Sequence, residues 1–419
     1  MMVKQSIQKW MEENKEEGVA FLQKLVQYGS VQGKEKGAQE FVAEKLKKIG
    51  MEVDKWIPGE DLVNHPYFCS PRTDFSESPN VVGIWKGKGG GRSIVLNGHI
   101  DVVPPGNPND WKEDPFSGLV QDGKVYGRGV TDMKGGNTSL LLAIQCLKDL
   151  GIELKGDVLF HSVIEEESGG AGTLAAVLRG YTADAAIIPE PTNMKIFPKQ
   201  QGSMWFRVTV NGQSAHGGTR YEGVSAIEKS MIVLQAIQEL EKDRNEKIDD
   251  PLYSSIPIPV PINVGKISGG DWPSSVCDTV TIEGRMGVSP EEKMEEAQME
   301  LQQKLENLQD EWLQKHPVSL EWFGARWHPG NIDPDHELMH MLQQNFESVT
   351  GEKPVVEASP WGTDGGLLTQ AGDTPSIVFG PGVTGMAHYS NEYIEIDKVF
   401  EAAQILALTI LDWCEGGEL

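Results

Sequence analysis

Three consecutive glutamates, Glu165, Glu166 and Glu167, close an apolar run in the segment VLFHSVIEEESGG. Residues 158–164 have the apolar, branched pattern of a buried strand in an α/β sheet, and the Gly-Gly pair after the glutamates indicates a turn. Carboxylates at the end of a buried strand could bind metal ions or move protons, but a solvated charge cluster in a loop gives the same pattern. The side chains that follow the other predicted strands bear on this choice.

Residues of the types that bind metals also follow the other predicted strands. They are His99 and Asp101 in SIVLNGHID, Asp132 in GRGVTDMKGG, Glu190 in AAIIPEPT and His388 in AHYSNE, which follows SIVFGPG. Each of them alone is typical of a surface residue. Because open α/β sheets bind ligands outside the carboxyl ends of their strands, we expect the five side chains to converge.

Helices that alternate with short apolar strands are predicted to position these side chains. We predict helices over residues 7–28, 38–49, 138–150, 338–349 and 398–413, and strands over residues 80–85, 93–98, 158–164, 185–188 and 376–380. This alternation is typical of a largely parallel sheet. Residues 59–78 are predicted to form a long polar loop.

The pattern changes near residue 201. The segments MWFRVTVNG and VTIEGRMGV alternate apolar and polar residues as antiparallel strands do, and helices are predicted over residues 226–245 and, as one long charged helix, 290–314. The predicted fold is therefore α/β: a domain with a largely parallel sheet, formed by residues 1–200 and 329–419, is interrupted by an inserted α+β domain of residues 201–328.

Composition limits the classes of function. With 419 residues, a hydrophobic fraction of 39% and a mean hydropathy of -0.34, the chain is predicted to form two soluble domains. A net charge of -25 argues against nucleic acid or an anionic membrane as a partner.

The chain also lacks the patterns of export and membrane insertion. No apolar run reaches the ~18 residues of a membrane span and no signal-type apolar core is seen, so we expect a cytoplasmic location. Cys69, Cys146, Cys277 and Cys414 are scattered, which suits reduced thiols and argues against a cysteine-based zinc site.

Six motifs between residues 97 and 393 together resemble a known family. They are NGHIDVVPPG, GRGVTDMKGG, EEESGGAGT, PEPT, SAHGG and AHYSNEY. The pattern resembles the co-catalytic zinc deacylases and peptidases, which include acetylornithine deacetylase, succinyl-diaminopimelate desuccinylase, aminoacylase and glutamate carboxypeptidase, and it is most similar to the acetylornithine deacetylase and desuccinylase branch. The resemblance implies a catalytic α/β domain interrupted by a lid domain, through which we expect a homodimer.

The resemblance also implies a ligand set for two divalent ions. His99, Asp132 and Glu190 would hold one ion, while Asp132, Glu167 and His388 would hold the other, with Asp132 bridging. Three ligand carboxylates carry three negative charges, which two dications and a bridging hydroxide balance better than one dication does. Imidazole and carboxylate ligands suit Zn²⁺, with Co²⁺ or Mn²⁺ as substitutes.

Three acidic residues next to these ligands receive supporting roles from the resemblance. Asp101 would accept the second ring N–H of His99 and fix its tautomer. Glu166 would be the general base that takes a proton from water and passes it to the departing amine. Glu165 would be a supporting acid.

The resemblance assigns further roles to residues of the inserted domain. His216 in GQSAHGGTR would donate to the oxyanion, within its own subunit or across a dimer, although it is otherwise a turn histidine. Arg285 would bind the substrate carboxylate, and the alternative is a solvated arginine on a strand. Ser274 or Ser275 stands where relatives often have an asparagine, and we take Ser275 as the substrate contact.

The predicted activity is metal-dependent hydrolysis of the amide bond of an N-acyl amino acid, of the acetylornithine deacetylase type. It would release a carboxylic acid and a free amino acid. A desuccinylase, an aminoacylase and a dipeptidase or carboxypeptidase are alternatives within the same class. A metal-bound protein that binds amides without turnover is an alternative of another class, against which Glu166 argues because a binder has no use for a base.

Overall fold

The computed structural model describes residues 2–415. The helices are α1 (Met2–Glu13), α2 (Lys15–Gln27), α3 (Lys36–Lys48), α4 (Glu60–Val63), α5 (Gly135–Asp149), α6 (Ala171–Leu178), α7 (Ala226–Asn245), α8 (Met294–Glu306), α9 (Glu311–Lys315), α10 (Glu337–Thr350), α11 (Gly365–Gly372) and α12 (Ile396–Glu415). The strands are β1 (Glu52–Trp56), β2 (Asn80–Trp85), β3 (Ile94–His99), β4 (Leu119–Gln121), β5 (Lys124–Tyr126), β6 (Val158–Val163), β7 (Ala185–Ile188), β8 (Lys199–Gln200), β9 (Gly202–Asn211), β10 (Ile262–Gly269), β11 (Thr279–Val288), β12 (Ser319–Trp327), β13 (Gly330–Asn331), β14 (Ser376–Val378) and β15 (Tyr393–Glu395).

These elements belong to two compact units. Within the described residues, the first unit comprises residues 2–199, 330–357 and 363–415, and the second comprises residues 200–329 and 358–362. The assignment of the second unit as a lid, and of dimerisation to it, stays a prediction.

A six-stranded sheet in the order β1-β2-β6-β3-β7-β14 is the framework of the first unit. The strands β6, β3, β7 and β14 are parallel neighbours, whereas β2 pairs antiparallel with both β6 and β1. The prediction of an α/β fold with a largely parallel sheet is confirmed, and the antiparallel edge adds to it.

Alternate residues of the central strands face two separate hydrophobic cores. Ile94 and Leu96 of β3 lie in a core that includes residues of α5 and α12, while Val95 lies in a second core with Val177 of α6 and Leu368 of α11. Since both faces of the sheet are covered, these strands appear in the sequence as continuous apolar runs. Polar side chains can then reach a ligand only from the strand ends.

The second unit contains an antiparallel sheet in the order β10-β11-β9-β12. Its apolar face includes Phe206 and Ile282, which share a core with Val233 of α7 and Leu301 of α8. The two helices therefore cover one face of this sheet.

Two helix predictions were wrong in extent. The long helix predicted over residues 290–314 is interrupted between α8 and α9, where Asp310 caps α9 by accepting the N–H groups of Trp312 and Leu313, each at 3.0 Å. The helix predicted over residues 7–28 is divided at Asn14, whose side chain donates to the Trp10 carbonyl at 2.8 Å. In both places a polar side chain that bonds to the backbone competes with the helical pattern.

Several strands were not predicted, among them β1, β10 and β12 at the edges of the two sheets. Much of each strand is partly or fully exposed and carries polar or charged residues. An edge strand does not require a continuous apolar run, which is the pattern by which the central strands were predicted. No helix among residues 2–415 combines the length and the apolar character that a membrane crossing requires.

Candidate metal centre

The predicted ligands of the first unit lie at the carboxyl ends of its strands and at the start of a helix. His99 is the last residue of β3, Glu166 and Glu167 follow β6, and Glu190 follows β7 by two residues. Asp132 lies in the turn that precedes α5. Because β6, β3 and β7 are parallel neighbours, their ends meet at one edge of the sheet, as expected from the sequence.

Gly98 leaves space for the side chain of Asn137 from α5. A Cβ atom at this position would lie 1.7 Å from Oδ1 of Asn137, so a larger residue would displace that side chain. The side-chain amide of Asn137 donates to the carbonyl oxygen of His99 at 2.6 Å. The strand that carries His99 is thereby joined to the helix that follows Asp132.

Asp132 lies between the two histidines and presents one carboxylate oxygen to each. Its Oδ1 is 3.2 Å from Nε2 of His99, and its Oδ2 is 3.2 Å from Nε2 of His388. On the His388 side, Oε1 and Oε2 of Glu167 are 3.2 and 3.1 Å from the same Nε2 atom. On the other side, Oε1 of Glu190 is 3.8 Å from Nε2 of His99.

Two groups of potential ligand atoms share His99. In one group, atoms of His99, Asp132 and Glu167 lie within 4.8 Å of one another, and in the other this holds for His99, Glu166 and Glu190. Glu166, the predicted base, is therefore within reach of the predicted ligands. The division of the ligands between two ions stays a prediction.

The pKa values of these groups reflect crowded negative charge. Burial and then repulsion from Glu190 raise the pKa of Glu166 well above its usual value. Burial and repulsion from Asp132 raise the pKa of Glu190 in the same way. Hydrogen bonds to Asp132 and Glu167 raise the pKa of His388 to about 10.

A cation of high charge would relieve this crowding. Carboxyl groups that repel one another retain protons, which a divalent ion displaces when it binds. The donors are imidazole and carboxylate without a thiolate, a set that fits Zn²⁺ or a similar divalent ion. The residues at the strand ends therefore form a candidate metal site.

The contact predicted between Asp101 and His99 differs in its atoms. Nδ1 of His99 lies 2.8 Å from the backbone carbonyl oxygen of Asp101 and 3.7 Å from its carboxylate, so the carbonyl accepts the ring N–H. The carboxylate instead accepts the N–H groups of Glu166 and Glu167 at 3.3 and 3.2 Å. Asp101 therefore contacts the histidine through its backbone and the glutamate turn through its side chain.

Glu165 is buried and hydrogen-bonded to the predicted polar loop. Its carboxylate accepts from Oγ of Ser70 at 2.6 Å, from Nε of Arg72 at 2.5 Å and from Nε2 of Gln32 at 2.9 Å. The backbone φ angle of Glu165 is 65°, a left-handed conformation that is uncommon for a residue with a side chain. These contacts hold the first residue of the glutamate turn in that conformation. Sequence reasoning missed Arg72, because it lies far from Glu165 in the chain and belongs to no motif.

Arg128 and Glu392 were also missed. Both are almost fully buried, and Nη1 of Arg128 lies 2.7 Å from Oε2 of Glu392. Their only signal in the sequence is their position within the motifs GRGVTDMKGG and AHYSNEY, next to the predicted ligands.

The three predicted site residues of the second unit occupy two places. His216 and Ser275 are bridge partners in an antiparallel pairing, so the structure brings these two residues together. Arg285 lies on β11 opposite Trp205 of β9, and burial lowers its pKa to about 10. The roles of all three toward a substrate stay predictions.

Comparisons with known proteins cover most of the chain. A family model described as Peptidase family M20/M25/M40 matches residues 95–412. The N-formyl-4-amino-5-aminomethyl-2-methylpyrimidine deformylase of Halalkalibacterium halodurans is 33% identical over 429 residues, covering 96% of this chain and 96% of the relative. The acetylornithine deacetylase of Edwardsiella ictaluri is 28% identical over 338 residues, covering 78% of this chain and 82% of the relative.

Solved structures share the fold. The aminopeptidase PepT of Bacillus cereus superposes with a TM-score of 0.73 at 22% identity, covering 95% of this chain and 98% of that one. A dinuclear metal-binding peptidase of the M20 family from Bacillus subtilis gives a TM-score of 0.66 at 15% identity, covering 96% and 99%. The matched region includes every predicted metal ligand, and the chain is thus a hydrolase that belongs to Peptidase family M20/M25/M40.

Proposed function

We propose that this hydrolase cleaves the amide bond of a small N-acyl compound with two divalent ions bound by His99, Asp132, Glu167, Glu190 and His388. The observation that carries the proposal is the position of Asp132, whose two oxygens each lie 3.2 Å from a different imidazole. A carboxylate shared in this way suits a pair of ions. When bound, such a pair lowers the pKa of water toward ~7 and polarises the amide carbonyl.

Glu166 supplies the proton transfer in this proposal. It is 7% exposed and lies among the ligands, where it can take a proton from the attacking water and deliver it to the departing nitrogen. A C–O bond forms and the C–N bond breaks, so that one amide and one water yield a carboxylic acid and an amine. The other carboxylates of the cluster are assigned to the ions, which leaves Glu166 available as the base.

His216 supports the proposal through its tautomer. Its Nδ1 accepts the N–H of Gly218 at 3.0 Å, so a neutral ring carries its hydrogen on Nε2. An exposed Nε2–H is a suitable donor to the negative charge that develops on the carbonyl oxygen.

The substrate is proposed to be an N-formyl aminomethylpyrimidine or a close analogue. This proposal is supported by the deformylase of Halalkalibacterium halodurans, which is 33% identical over 96% of both chains, compared with 28% over 78% of this chain for the acetylornithine deacetylase. The sequence motifs favoured N-acetylornithine, which becomes the second candidate. The quoted motifs surround the metal ligands, and residues that hold an ion do not distinguish one acyl group from another.

A panel of substrates tests this proposal. Protein reconstituted with Zn²⁺ or with Co²⁺ is assayed on the N-formyl aminomethylpyrimidine, N-acetylornithine, an N-succinyl amino acid and a dipeptide, with metal-depleted protein as the control. We expect the highest kcat/KM on the formyl compound. A higher kcat/KM on N-acetylornithine selects the second candidate, and failure to hydrolyse any of them with two ions bound refutes the proposal.

Oligomeric state and location complete the proposal. A homodimer formed through the second unit is predicted, and light scattering after gel filtration measures it. A cytoplasmic location also stays a prediction, which fractionation of cells tests.

A further inference from the structure

The buried carboxylate of Glu392 binds the turn that carries Asp132. Its oxygens accept the backbone N–H groups of Gly129, Thr131 and Asp132 at 3.0, 2.8 and 3.2 Å. Glu392 has no exposed surface, so these bonds form without competition from bulk water. The backbone of the turn is thereby fixed next to the ligand.

Arg128 extends this contact to the loop that carries His388. Its Nη1 donates to Glu392 at 2.7 Å, while Nη2 donates to the carbonyl oxygen of His388 at 3.1 Å and Nη1 also reaches the Tyr389 carbonyl at 3.3 Å. The guanidinium lies 5.2 Å from the ring centroid of Trp111, which covers it. The planar fork of an arginine can contact both partners at once, which a lysine cannot do.

His388 needs such a constraint. Its backbone φ angle of 66° lies in the left-handed region. Its side chain is 53% exposed, so burial alone does not hold the ring against Asp132 and Glu167. The bond from Arg128 to its carbonyl oxygen fixes the backbone in this uncommon conformation.

A contribution to folding stability does not by itself explain the Arg128–Glu392 ion pair. A buried ion pair can often be replaced by apolar residues of similar volume without loss of stability. Here both members bond to the backbone of predicted ligands, and within residues 2–415 neither of them forms a hydrogen bond or an ion pair with Glu190. Groups that orient metal ligands in this way affect metal affinity although they do not touch the ion.

We infer that the Arg128–Glu392 pair is a positioning device that sets the separation of Asp132 and His388, through which Arg128 determines the affinity of the ion held by Asp132, Glu167 and His388, and Glu392 determines the affinity of both ions. The inference rests on the proposed two-ion function. Arg128 acts on the His388 loop, whereas Glu392 acts on the Asp132 turn, which serves both ions. Loss of Arg128 therefore weakens one ion, and loss of Glu392 weakens both.

Calorimetric titration of metal-depleted protein with Zn²⁺ tests the inference directly. For Arg128→Met we expect one of two ions to bind about 10- to 100-fold more weakly, with the other unchanged. Excess Zn²⁺ is expected to restore kcat, because the variant loses affinity rather than chemistry. Glu392→Gln is expected to weaken both ions, since its amide points N–H groups at backbone N–H donors.

A matched control is Arg244→Met. Arg244 is also buried, lies in the second unit and forms ion pairs with Glu292 and Glu300, but it contacts no predicted ligand. The Arg244→Met variant is expected to bind both ions with the affinities of the parent protein. Unchanged circular dichroism must accompany each variant.

The outcomes separate the inference from the proposed function. A parent protein that binds one ion or fewer refutes the two-ion proposal before any variant is compared. A parent with two ions and an Arg128→Met variant with the same two affinities overturns the inference alone. If Arg128→Met does not fold, Arg128→Lys carries the test, because lysine keeps the charge beside Glu392 but cannot also reach His388; parental affinities in that variant overturn the inference.

Discussion

His161 is a buried histidine on the strand that leads into the three glutamates. It has no exposed surface, and neither of its ring nitrogens has a hydrogen-bond partner among residues 2–415. Its ring lies 6.3 Å from that of Tyr181. Burial lowers the pKa of His161 from 6.5 to about 3.

This shift predicts a loss of stability in acid. Between the two pKa values the unfolded chain binds a proton that the folded chain does not, so the free energy of unfolding falls as pH falls below 6.5. At 1.36 kcal/mol for each pKa unit, the histidine removes about 2 kcal/mol between about pH 7.5 and about pH 5. Replacement by phenylalanine should remove this contribution, because the ring stays and the titration disappears.

The assay is urea unfolding of the parent and of His161→Phe at both pH values. Circular dichroism and tryptophan fluorescence are both recorded, so that coincident transitions justify a single free energy. We expect the difference in the free energy of unfolding between the two pH values to be about 2 kcal/mol smaller in the variant. Equal differences in the parent and His161→Phe would refute the reasoning.

The remaining predictions concern the site. Glu166→Gln should bind both ions but turn over about 10²–10⁴-fold more slowly, since an amide cannot accept the proton. Glu167→Gln, which loses a carboxylate beside His388, should instead lose one ion. Metal loss from the Glu166→Gln variant alone contradicts these roles. His216→Ala should lower kcat by about 10²–10³-fold at constant metal content, and an unchanged kcat argues against oxyanion binding. Arg285→Ala should raise KM for substrates that carry a carboxylate with little change in kcat, and a purely kcat effect contradicts that contact. Arg72→Met should lower the free energy of unfolding by about 3 kcal/mol, because it removes the cation that pairs with the buried carboxylate of Glu165, and an unchanged urea midpoint refutes this.

The sequence by itself predicted the elements whose pattern is local. The strand predicted over residues 185–188 and the helix predicted over residues 226–245 match Ala185–Ile188 and Ala226–Asn245. The strand is buried on both faces and therefore forms a continuous apolar run, and the helix begins after Ser225, whose side chain accepts the N–H of Glu228. The motifs at the strand ends likewise identified the family, because the residues around each ligand are contiguous in the chain.

Contacts between distant parts of the chain could not be predicted in this way. Arg72 lies in a polar loop and yet bonds to Glu165. The carboxylate of Glu392 bonds to the backbone N–H of Asp132, which lies 260 residues earlier in the chain. No periodicity marks such partners. The direction of the Asp101 side chain was missed for the same reason, since it depends on the backbone of the glutamate turn.

The sequence thus determined which residue types stand at the ends of the strands, and the tertiary structure decided how their atoms face one another. Asp132 could be identified as a ligand from its motif, but the approach of one of its oxygens to His99 and of the other to His388 depends on the packing of α5 against β3 at Gly98 and on the conformation of the His388 loop. Distances between side chains arise from the packing of whole elements, whereas residue types are properties of the chain alone.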